Sequence, residues 1–123
     1  MLVLGIATAT VAAFIISFAY YALAPSAPTV PTAPQERPQP WQVGAELLRS
    51  AVVSGLVAGL LLAAGWGGPV HGALLGVALW ALPVVLLGGS VLWEQVPVRA
   101  AALHAGDWLI KLVAIGVIVG LFT

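Results

Sequence analysis

An all-α bundle of four transmembrane helices is the fold class this chain predicts, and three observations carry it. The chain has 123 residues, 62% of them hydrophobic and only 7% charged, whereas a soluble domain is nearer half apolar and a quarter charged. So few charges do not cover a water-facing surface, and the mean hydropathy is +1.12. The apolar stretches reach about 20 residues, the length that crosses roughly 30 Å of hydrocarbon as a helix. None shows the short apolar–polar alternation of a membrane β-barrel strand. The predicted spans cover about 2–24, 45–66, 70–92 and 98–122 of a single membrane domain, with a proline-rich cytoplasmic linker at 25–40 between helices 1 and 2.

The first apolar run ends in Phe18-Ala19-Tyr20-Tyr21, an aromatic pair suited to the membrane–water boundary. Ala22-Leu23-Ala24 has the look of a signal-peptidase site, but no Lys or Arg precedes the run and Pro25 follows the cut. The run is therefore read as a retained span rather than a cleaved leader. The linker holds six prolines, with Glu36 and Arg37 among them. Proline fixes φ and removes a donor, so an extended spacer is expected there.

Glu46 and Arg49 fall in the opening turns of the second span, ahead of an apolar core from Ala51 to Ala64. Ser54-Gly55 and Ala58-Gly59 set small residues four apart, the spacing that lets membrane helices approach closely. Gly67-Gly68-Pro69 makes a tight reversal. His71 opens the third span, Gly72 and Gly76 repeat the small-residue spacing, and Pro83 near mid-span predicts a bend. A second connector runs from Trp93 to Arg99, with Pro97 placed as a first helical residue. Gly116 and Gly120 continue the small-residue spacing on another face of the fourth span.

That last span carries the chemistry. His104, Asp107 and Lys111 stand at i, i+3 and i+7, within an arc of about 60° on one helix face. Asp107 and Lys111 are four apart with the acid first, the favourable order. An unpaired charge near the bilayer centre costs at least about 2.5–3.5 kcal/mol, so this face is expected to turn toward protein or water. The candidate functional cluster is His104, Asp107 and Lys111 together with Glu46, Arg49, Glu94 and Arg99. With four spans, Arg37, Arg49 and Arg99 share one side, while the termini and the Gly67–Pro69 turn carry no Lys or Arg. The positive-inside rule then makes the linker side cytoplasmic, with both termini outside the plasma membrane. The cluster becomes a polar half-funnel descending from the cytoplasm to Lys111, and His71 stands alone at the opposite boundary.

The chain resembles the uncharacterised bacterial membrane family known as domain of unknown function 1761. The resemblance rests on the Phe14–Tyr21 ending of the first span and on the Gly-rich start of the third with its later Trp80 and Pro83. Above all it rests on His104-Ala105-Gly106-Asp107-Trp108-Leu109-Ile110-Lys111-Leu112. It covers nearly the whole chain except the proline linker, and it implies four transmembrane helices, no established activity and no catalytic residue. Use of one Lys, three Arg and no Asn also fits a GC-rich bacterial gene.

Three functions are weighed on the residues. The favoured one is a structural or accessory subunit, in which Asp107 and Lys111 neutralise each other and pin the fourth helix. The alternative is transport of protons or a small solute along the half-funnel, with His104 and Asp107 as exchanging groups. An enzyme is not expected: there is no Cys, no Ser in a nucleophile turn and no His-rich metal spacing. No cofactor is implied. The partners expected are the lipid bilayer and a second copy or another membrane protein. Zero net charge argues against nucleic acid.

Overall fold

The computed structural model describes residues 2–23 and 40–123. Four helices follow one another: α1 Leu2–Leu23, α2 Pro40–Ala64, α3 Pro69–Trp93 and α4 Val98–Leu121. No strand occurs among the described residues. All four helices are long and apolar enough to cross a membrane, so the chain is an all-α, multi-pass membrane protein. The expected linker lies outside the described residues apart from Pro40.

Pro40 itself corrects the sequence reading. It is the first residue of α2 rather than the last of the linker, because a missing N–H costs nothing in the first turn of a helix. The helix thus starts well before residue 45, and Glu46 and Arg49 sit in its second and third turns, not its opening. Pro69 likewise begins α3 instead of closing the reversal. Pro97 caps α4 from outside, and its carbonyl accepts from Ala101 N at 3.0 Å. Pro83 stands inside α3, which remains helical throughout.

The reversal between α2 and α3 is built by Gly65 in the left-handed region, at φ +69°. Trp66 N donates to Leu61 O and Gly65 N to Leu62 O, at 2.9 and 3.1 Å. This is the paired bonding that closes a helix end and leaves few carbonyls unmet.

Packing makes α2 and α4 the central pair: each touches every other helix, while α1 and α3 sit at opposite corners without meeting. One core joins Ala9 and Ala13 of α1, Val57, Ala58 and Leu61 of α2, and Ile115 and Val119 of α4. The alanines keep α1 close, as small residues do where helices associate in lipid. α3 attaches by another route. Only Gly72 and Gly76 are buried on it, and they lie against the α4 backbone at Gly116 and Leu112. Gly120 meets Gly68 in the same way. On α2, by contrast, Ser54 and Ala58 are buried, while nothing lies within 4 Å of a Cβ built at Gly55 or Gly59. The outward faces carry Val3, Ile15, Val52, Leu56, Leu82, Val85 and Leu86, all exposed, as lipid-facing surface requires.

Candidate functional site

α4 is the helix on which the site is built. One of its faces joins the apolar core through Ile115 and Val119, and its glycines take α3. The remaining stripe bears His104, Asp107 and Lys111. Asp107 is 3% exposed and Lys111 2%, so the stripe turns inward as the cost of bare charge in lipid demands. Lys111 Nζ lies 3.2 Å from Asp107 Oδ2 and 3.5 Å from Glu46 Oε1 of α2. Arg49 Nε is 3.7 Å from Glu46 Oε2. The four groups comprise two acids and two bases, which balances the set.

Trp108 adds a π-face to both cations. The Lys111 ammonium stands 4.3 Å from its ring centre and the Arg49 guanidinium 5.0 Å. Both distances fall in the range where a ring quadrupole attracts a cation.

Two neighbouring helices hold the upper part of the stripe. The Tyr20 hydroxyl donates to Leu103 O at 2.8 Å, and the Trp80 indole N–H donates to Ala105 O, also at 2.8 Å. Tyr21 pairs its hydroxyl with His104 Nδ1 at 2.5 Å. His104 is therefore oriented by a partner from α1 although it is exposed.

These side chains line a cleft of about 430 Å³. Tyr21, His104, Glu46 and Arg49 line it, with Asp107, Trp108 and Lys111, and Phe14, Phe18 and Leu87 supply apolar wall. Further along the bundle come Val57, Leu61, Ile115 and Val119, fully or almost fully buried, and among the described residues the next ionisable side chain in that direction is His71, in the first turn of α3. Asp107 Oδ1 is buried and has no hydrogen-bond partner among the described residues.

The family described as "Protein of unknown function (DUF1761)" matches residues 4–120. The chain belongs to the DUF1761 family. No curated protein and no solved structure matches it significantly.

Of the seven residues singled out in this DUF1761 chain, five gather at the cleft: His104, Asp107, Lys111, Glu46 and Arg49. Glu94 and Arg99 do not line it. They are exposed at the α3–α4 connector, on the same end of the bundle. His71 is far from the cluster, bonded to Gly67 O at 2.8 Å and stacked near Trp66. No group of three or more His, Asp or Glu among the described residues is placed to hold a metal ion.

Sequence reasoning left out Tyr20, Tyr21, Trp80 and Trp108 as site residues. The signal for the tyrosines was their place at the α1 end on the same membrane side as Glu46 and His104. For Trp108 it was its place three residues before Lys111. Trp80 carried no such signal, because its bond goes to a backbone carbonyl.

Proposed function

We propose that this DUF1761 chain is a structural or accessory subunit of a plasma-membrane assembly, and that its buried charges serve to fix one arrangement of helices. The observation that carries this reading is the Lys111 ammonium held between Asp107 of its own helix and Glu46 of α2. A buried ion set of this kind adds little net stability but penalises any register that separates its members. The exposed apolar faces of α2 and α3 suit the bilayer and a second copy or another membrane protein. The bias of Arg37, Arg49 and Arg99 to one side supports a cytoplasmic linker and outer termini. No catalytic role is proposed for any residue.

The experiment is sizing in mild detergent with cross-linking in membranes. Asp107→Asn and Lys111→Met are expected to lower expression and break up the assembly, with no flux to lose in proteoliposomes. An assembly unaffected by both changes defeats the reading.

A second reading, proton-linked or small-solute transport, is favoured by one observation: the roughly 430 Å³ cleft includes an acid with an unpartnered oxygen. Such residues are often relay or gating groups in membranes. On this reading Asp107→Asn abolishes pH-dependent flux in proteoliposomes while the protein still assembles. The apolar core beyond Lys111 requires a path completed at an oligomer axis or by motion of α3.

A further inference from the structure

We infer that the polar cleft and the apolar groove beside it form one binding site for a zwitterionic lipid. Its head carries a primary ammonium and a phosphate, and one of its acyl chains lies between α2 and α3. The inference is independent of whether the charge cluster pins helices or passes solute.

The head is specified by what the cleft leaves unmet. Asp107 Oδ1 is a buried acceptor with no donor at hydrogen-bond distance, and the neighbouring Tyr21 hydroxyl, which also acts on the Asp107 side chain, is paired with His104 Nδ1. Leaving such a group unsatisfied carries its full desolvation penalty, which is larger when the group is charged. The one ammonium at hand, Lys111, faces Asp107 Oδ2 and Glu46 Oε1 instead. What is missing is therefore a donor, and a primary ammonium has three. At the rim the demand is reversed. The Arg49 side chain is 55% exposed, and its Nε lies 3.7 Å from Glu46 Oε2, too far for a hydrogen bond. Its planar fork is suited to phosphate. The cleft balances two acids against two bases, so a head with both signs fits it better than a purely anionic one.

The tail is specified by continuity. A groove of about 310 Å³ runs between α2 and α3, and it shares Leu87 and Trp108 with the cleft. Leu56, Leu82 and Leu86 of its wall are exposed, so it opens toward lipid. The Ser90 hydroxyl on that wall is already donated to Leu86 O. The cleft touches α3 at Leu87, whereas the groove follows α3 as far as Leu79, about 21 Å along the helix from Trp93 at 1.5 Å per residue. A chain in the groove therefore runs from the charged end toward the bilayer middle, as a lipid tail in that leaflet does.

The test is native mass spectrometry of the full-length chain in detergent, titrated in turn with phosphatidylethanolamine, phosphatidylcholine and phosphatidylglycerol of matched acyl chains. Phosphatidylcholine keeps both charges but has no N–H, and phosphatidylglycerol has no cation. Phosphatidylethanolamine is expected to be retained about tenfold better than either. Leu82→Trp, which fills the groove from its exposed wall, is expected to remove that preference while helicity is unchanged. Asp107→Asn is expected to bring phosphatidylethanolamine down to the level of phosphatidylcholine. Equal retention of the three lipids by the wild type, or an unchanged preference in Leu82→Trp, overturns the inference whether or not Asp107→Asn folds. Soluble phosphoethanolamine binding as tightly as the lipid also overturns it, because the groove would then contribute nothing.

Discussion

Gly72 of α3 and Gly116 of α4 touch backbone to backbone: a Cβ on either would run into the other's carbonyl oxygen. Nothing flexible stands between them to give way. Gly72→Ala and Gly116→Ala are each expected to destabilise the protein by about 1–3 kcal/mol, the usual cost of overpacking. Gly55→Ala and Gly59→Ala are controls, since nothing lies within 4 Å of either Cβ position, and are expected to be neutral or slightly stabilising. Thermal unfolding in one detergent, followed by circular dichroism, ranks the four.

This contrast shows how far the pattern of small residues can be read. The four spans were legible because run length and composition answer directly to bilayer thickness. The inward stripe on α4 was legible because charge in lipid leaves it no other direction. Which small-residue pair forms a contact was not legible. Gly55/Gly59 and Gly72/Gly76 have the same spacing, and only the rotation of each helix about its axis separates them. Glu46 as the second acid on Lys111 was equally hidden, because a contact between α2 and α4 depends on how the helices are arranged. Glu94 and Arg99 looked like cluster members from their membrane side alone. Depth along the bundle, which sidedness does not report, leaves them at the connector.

The upper turns of α4 are held by donors from other helices, and Gly106 makes room for one of them. A Cβ at Gly106 would stand 2.5 Å from the Tyr20 hydroxyl, which donates to Leu103 O. Tyr20→Phe removes that bond and is expected to cost about 1 kcal/mol. Gly106→Ala displaces the same hydroxyl, so Gly106→Ala in the Tyr20→Phe background is expected to cost less than in the wild type. A double-mutant cycle in thermal unfolding measures the difference, and strict additivity would mean that the two positions do not communicate.

The Glu46–Lys111–Asp107 set makes a prediction about order of removal. Lys111→Met alone leaves the buried Asp107 carboxylate without its cation and Glu46 with Arg49 only, and is expected to cost about 3–5 kcal/mol. Adding Glu46→Gln and Asp107→Asn to Lys111→Met is expected to recover most of that loss, because the buried positions then carry no charge and Arg49, whose side chain is 55% exposed, keeps its own in solvent. Equilibrium unfolding of the single and triple variants in mixed micelles decides. A triple variant no more stable than the single one would show that the charges matter beyond mutual compensation.

Lys111 is the only lysine in the sequence, which makes its burial directly measurable. Its side chain is 3% exposed and lies against two carboxylates and the Trp108 ring. An acylating reagent needs access to the amine nitrogen, and this environment denies it. A membrane-impermeant amine reagent is therefore expected to leave Lys111 unmodified in the folded protein and to modify it fully after denaturation in SDS. Glu46→Gln, which loosens the tie between the Lys111 ammonium and α2, is expected to open access to the amine and speed labelling without abolishing the fold. Peptide mass mapping reads the result at a single residue. Rapid labelling of Lys111 in the native protein would mean that the amine is open to solvent, and that α4 does not keep its charged stripe between its neighbours.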